Sequence, residues 1–141
     1  MNYACTKEEI YELFYKIQEY NLSAPAKFFI TPTEDLQRIY NGIGPDVWSS
    51  RFRKKVTELL AWFEPEALIH DWEYTYQPKT YLHFTISNIR FAVNGFYAAW
   101  KNENRSRIDI LKYTRRSLLL AVICQLFGYK GYKEATKLKE V

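Results

Sequence analysis

Residues 64–76, Glu-Pro-Glu-Ala-Leu-Ile-His-Asp-Trp-Glu-Tyr-Thr-Tyr, carry a proline in what would be the first turn of a helix, where its missing N–H costs little, and Pro78 stops the element on the far side. Leu60, Phe63, Ala67, His70 and Tyr74 recur at intervals of three and four, so they share one helix face. His70 is therefore expected to point inward, with Asp71 one residue further round towards an adjacent loop. Trp72 falls outside this stripe and is expected near a pocket entrance or over the turn. Residues 82–101 repeat the pattern with Phe84, Asn88, Phe91, Gly95 and Ala98, which leaves Asn88 as a polar amide on an apolar face.

The same periodicity runs outward in both directions. Thr6 followed by Glu9 forms a capping box ahead of Ile10, Leu13, Phe14, Ile17 and Tyr20, so a helix is expected over about 6–20. Pro25 and Pro32 bracket Phe28-Phe29-Ile30, which reads as an extended connector on the surface. A short helix then runs from Thr33 or Glu34 to Tyr40, ended by Gly42, and a turn over Asn41–Asp46 leads into a helix over Val47–Trp62. Beyond the polar turn at Asn102–Ser106, a long helix spans 107–127 with Gly128 as its stop, and a last short one spans about 130–139. Strand-like alternation is confined to Tyr74–Phe84. The expectation is an all-α chain, residues 1–141 forming a single compact domain of five to six helices.

Bulk properties narrow the function classes. A chain of 141 residues with 48% hydrophobic side chains has enough apolar surface for one sizeable core, and 18% aromatic content means that rings supply much of it. Cys5 and Cys124 lie near opposite ends, and the N-terminus lacks the charged-then-apolar run of a secretory signal, so a disulfide framework is not expected. No apolar run reaches the ~18 residues of a membrane span; the most apolar, Ser117–Phe127, reads as a buried helix. These features point to the cytoplasm or a phage virion. Net charge is +4, with ten Lys or Arg against four acids in residues 101–141. Such a segment suits an acidic partner or nucleic acid, although a solvated helix face explains it more simply. Arg105, Arg107, Arg115 and Arg116 read as exposed, while Tyr97, Trp100 and Tyr113 would suit an interface if exposed. His83 and the two cysteines have no zinc spacing.

His70-Asp71-Trp72-Glu73-Tyr74, preceded by Asn41-Gly42-Ile43-Gly44, resembles the His-Asp-x-x-Tyr helix and calcium loop of the phospholipase A2 superfamily over roughly residues 40–98. In that family the His activates water against an ester carbonyl, and the adjacent Asp with loop carbonyls holds Ca²⁺. The resemblance implies His70 as general base, Tyr74 as an anchor of its network, and Asp71 with the main-chain carbonyls of Tyr40, Gly42 and Gly44 as calcium ligands. The family also orients its His with a second, buried Asp on the following helix. This chain has no Asp between Asp71 and Asp109, so Asn88 and Asn94 are the best-placed substitutes. An amide orients a His but supports an imidazolium far less than a carboxylate does.

Three readings follow. The leading one is a small helical accessory or structural protein, of phage or mobile-element type, whose His70 and Asn88 form a buried polar pair beside a degenerate phospholipase-like site. The second is an active calcium-dependent hydrolase meeting a phospholipid surface. The third is nucleic-acid or acidic-partner binding through the basic C-terminal segment.

Overall fold

Thr6 starts the first helix as its spacing to Glu9 requires: its side-chain oxygen accepts the Glu9 backbone N–H at 3.2 Å. The computed structural model describes residues 6–40, 63–101 and 106–134. Within them the helices are α1 (Lys7–Glu19), α2 (Thr33–Ile39), α3 (Glu64–Tyr76), α4 (Tyr81–Lys101), α5 (Arg107–Phe127) and α6 (Tyr129–Glu134), with a 3₁₀ turn at Ala26–Ile30. No strand occurs among the described residues, so the chain is all-α there. None of these helices is long and apolar enough to cross a membrane. The expected turn at Asn41–Asp46 and helix at Val47–Trp62 lie outside the described residues, as do Cys5, Gly42, Gly44, Leu60 and Arg105.

α1 buries Ile10, Leu13 and Ile17. Asn21, in the left-handed region at φ 52°, lets the Asn21 and Leu22 N–H groups reach back to the Gln18 and Ile17 carbonyls, and Leu22 is buried beneath the reversal. The connector that follows differs from expectation. Between Pro25 and Pro32 the chain winds a 3₁₀ turn, with the Phe28 N–H donating to the Pro25 carbonyl at 2.9 Å. That turn drops Phe28 into the core against Phe14 and Trp72, with centroids 5.8 and 6.1 Å away. A proline at each end fixes the entry and exit directions but leaves the three apolar residues between them free to coil.

α3 is covered on most sides, packing against α1, α2, α4 and α6. Trp72 is accordingly buried rather than placed over a turn, and its indole N–H donates to Thr31 Oγ1 at 2.8 Å. α4 and α5 run antiparallel, since Ser117 meets Phe91 while Gln125 meets Tyr81 and Thr85. Their close approach depends on Gly95: a Cβ there would lie 1.9 Å from Ser117 Oγ and 2.4 Å from its Cβ. Gly128 ends α5 with ordinary right-handed φ of −94°, so its use is spatial. A Cβ at that position would sit 2.5 Å from the Cys124 carbonyl oxygen and 3.1 Å from the Tyr74 hydroxyl. The Ser117–Phe127 run is not a buried helix as expected: Leu118, Leu119, Val122, Leu126 and Phe127 remain 45–69% exposed. α5 gives its inner face to α4 and α6, and no described element covers its outer one.

Gly95→Ala is expected to push α4 from α5 and cost about 1–3 kcal/mol, read as a fall of several degrees in melting temperature. Adding Ser117→Gly should recover part of the loss, whereas Ser117→Ala should not, because the obstructing Cβ stays. An unchanged melting temperature for Gly95→Ala alone would contradict this contact.

Candidate functional site

Asn88 is 2% exposed and collects the polar groups of two neighbouring helices. Its Oδ1 lies 2.8 Å from His70 Nε2 and also accepts the Tyr74 hydroxyl at 3.0 Å. Its Nδ2 donates to Gln125 Oε1 at 2.8 Å, and Gln125 Nε2 in turn donates to Tyr81 Oη and Thr85 Oγ1, each at 3.0 Å. With Nδ2 committed to Gln125, Oδ1 faces the imidazole, so Nε2 carries the ring proton and Nδ1 the lone pair. The helical spacing that predicts His70 and Tyr74 on one face explains why both reach a single residue of α4.

The site is dry. His70 keeps some solvent contact as a residue, but its ring packs on Tyr74 and Phe91 with centroids 4.1 and 5.4 Å away. Burial lowers the imidazole pKa to about 4, against the smaller opposing effect of the Asn88 hydrogen bond. His70 is therefore neutral at pH 7. Burial also drives the Cys124 thiol up to about 12, with the Asp71 charge adding to the rise. Tyr74 is raised by burial and then by the charges of Cys124 and Asp71. Asp71 is thus felt on the α5 side of α3, at a thiol and a phenol that stay protonated.

Of the expected calcium ligands, Gly42 and Gly44 are outside the described residues. Tyr40 is buried, and its side chain hydrogen-bonds Glu64 in the first turn of α3. Glu64 precedes Asp71 by seven residues, roughly 10 Å along the helix. Among the described residues no three His, Cys, Asp or Glu side chains converge as a metal site; Asp71 is the carboxylate this set supplies, and Ca²⁺ takes six to eight oxygens.

Asn94, the other candidate partner for His70, is engaged elsewhere: it accepts the Ser23 N–H and donates to the Ser23 carbonyl, both at 2.8 Å. It ties α4 to the connector after α1. His83 lies at the start of α4, where Thr80 Oγ1 accepts its backbone N–H at 3.1 Å and sits 2.7 Å from Nδ1. Arg107, Arg115 and Arg116 are exposed, Cys124 is a buried free thiol, and Tyr113 packs against Phe63 at 4.6 Å. Tyr97 and Trp100 are exposed.

Two participants escape the stripe reading. Gln125 closes the network from α5, and its signal was a lone amide within Leu118–Phe127. Glu73 is 1% exposed, with Oε2 3.1 Å from Arg90 Nη1. Burial raises its carboxyl to about 7, and Arg90 offsets that only in part. No known protein family, curated protein sequence or solved structure matches the chain.

His70 and Glu73 act in opposite senses on stability. The folded pKa of His70 is depressed, so its contribution is complete above about 6.5 and is lost as pH falls towards about 4, on the order of 3 kcal/mol in all. The folded pKa of Glu73 is raised, so its contribution is complete below about 4.5 and is lost as pH rises through about 7. Removing Glu73 unmasks the His70 slope. Denaturant titrations of Glu73→Gln should show stability rising more steeply with pH than in wild type across pH 4.5–7. Parallel curves for the two proteins would refute the Glu73 assignment.

Proposed function

We propose that the chain is a helical accessory or structural protein that keeps a phospholipase A2-like His-Asp helix as part of its packing rather than as a catalyst. The observation that carries this reading is the chain from His70 through Asn88 to Gln125, in which, among the described residues, the groups hydrogen-bonded to Asn88 are the imidazole Nε2, the Tyr74 hydroxyl and the Gln125 amide. A general base must accept a proton in the transition state, and efficiency is greatest when its pKa lies near the working pH. An imidazole at about 4, with an amide behind it, is a weak base whose protonated form lacks a compensating charge. The same network is well suited to fixing how α3, α4 and α5 seat against one another.

A second reading, calcium-dependent ester hydrolysis, draws support from one feature. The hydrogen bond to Asn88 holds Nε2 and leaves the Nδ1 lone pair as the basic position, with Tyr74 anchoring the same oxygen. Asp71 and loop carbonyls would hold the Ca²⁺, which would supply Lewis-acid polarisation of an ester when bound.

Mixed-micelle phospholipid assays with Ca²⁺ and with chelator separate the two. The expected outcome is no fatty-acid release by wild type, together with a stability loss of about 1–3 kcal/mol in His70→Ala, because Asn88 loses a partner in the interior. Calcium-dependent release that vanishes in a folded His70→Ala protein would establish the enzyme instead. Asn88→Asp is the companion variant: a carboxylate beside Nε2 should raise the His70 pKa, measurable by NMR titration of the ring.

A further inference from the structure

Gly128 alone separates α5 from α6, and its backbone is already right-handed, at φ −94° and ψ −7°. A continuous helix asks for a change of about 30–35° in each angle. The helical bonds on either side of the break are intact: the Gly128 N–H donates to the Cys124 carbonyl at 2.7 Å, and the Tyr132 N–H donates to the Gly128 carbonyl at 2.9 Å. The bend forgoes the bonds between them, those from the Tyr129, Lys130 and Gly131 N–H groups to the Gln125, Leu126 and Phe127 carbonyls.

One side chain offsets that loss. Tyr132 is fully buried, with its ring centroid 5.0 Å from that of Tyr74 and 5.4 Å from that of Phe84. Its hydroxyl donates to the Pro78 carbonyl in the turn between α3 and α4. The Lys79 ammonium lies 4.6 Å from its ring centre and also donates to the Tyr74 carbonyl. Tyr74, Phe84 and Tyr132 form a small cluster, with Tyr129 at its edge, that is separate from the main core running from α1 to α5. A cluster of its own can open while the main core stays closed. α6 by itself has six residues with Gly131 among them, so its helix depends either on the seat of Tyr132 or on continuity with α5.

Gly128 favours one of these two supports. A Cβ there would lie 2.5 Å from the Cys124 carbonyl oxygen and 3.1 Å from the Tyr74 hydroxyl, so the bend admits glycine and strains any larger residue. In a continuous helix alanine meets no such main-chain contact and is the most favoured residue. We propose that α6 is a hinged strap with two positions. In the seated one, Tyr132 plugs the aromatic seat over Tyr74; in the extended one, residues 107–134 form a single helix and the seat is uncovered. Tyr74 also donates its hydroxyl to Asn88 Oδ1, so the strap stands between solvent and one end of the polar chain that includes His70. The hinge acts in this way whether that chain serves packing or catalysis.

The full chain carrying 3-fluorotyrosine at position 132 alone reports the surroundings of that ring by fluorine NMR. The expected wild-type spectrum has a dominant buried resonance exchanging with a minor solvent-exposed one. Gly128→Ala should raise the exposed population by about tenfold, because it strains the bend and favours the helix. Far-ultraviolet helicity should hold or increase, and the methyl resonances of Ile10, Ile17 and Ile69 in the main core should stay unmoved. Lys79→Ala loosens the seat without touching the hinge and should shift the populations in the same direction. A single buried resonance in both variants overturns the proposal. So does exposure of Tyr132 with a loss of helicity, which would mean fraying of α6, or with shifted isoleucine methyls, which would mean that the main core opens too.

Discussion

A carboxamide sealed inside a helical core must have its hydrogen bonds met by protein, and Asn88 meets its own by reaching α3 with one atom and α5 with the other. Leaving such a group unpaired costs about 1–3 kcal/mol, a sizeable share of the 5–15 kcal/mol by which domains are stable. Apolar contacts alone let α4 rotate or slide by small amounts at little cost. The Asn88 bonds do not, because each has a narrow range of length and angle. Gly95 works with them from two turns along α4: the gap it leaves is what lets Ser117 sit close enough for Gln125 to come into range.

The orientation fixed in this way has two outward consequences. It turns Phe84 and Phe91 towards α3, where Phe84 joins Tyr74 and Tyr132 in an aromatic cluster and Phe91 covers the His70 ring. It also turns the opposite edge of α4 to the outside, together with the matching edge of α5. Interior chemistry and exterior surface are thus set by one rotational choice. The low basicity of His70 and the exposed Ile89 are two results of the same packing.

The parts of this arrangement that were legible in sequence are those written in helical period and punctuation. Thr6 with Glu9, Pro65 and Gly128 bound their helices where the chain places them, and the stripes through Phe63–Tyr74 and Phe84–Ala98 correctly turn His70 and Asn88 towards each other. What sequence concealed depends on which neighbour a face meets. Trp72 stands off its stripe, yet α3 is surrounded, so off-stripe positions are buried too. Phe28 sits between prolines that suggest extension, but its burial is decided by the Phe14 and Trp72 rings it packs against. The apolar run of α5 reads as interior because composition cannot tell a buried face from an exposed one. Asn88 lay on the inward stripe and Asn94 beside it, and the bonds of Asn94 to the Ser23 backbone show what the second amide does instead.

The choice of amide over acid at position 88 bears most directly on function. A carboxylate there would accept from His70 and Tyr74 and would hold an imidazolium, but it has no proton to give Gln125 Oε1. Asparagine accepts on one side and donates on the other, so it alone of the two joins α3 to α5 without rearranging Gln125. The gain is a continuous chain of satisfied groups from His70 to Tyr81 and Thr85. The loss is the negative charge that a protonated base would need. Asparagine at this position links three helices better and supports a cation worse, and it makes the neutral, buried state of the His70 ring a consequence of how the helices are held together.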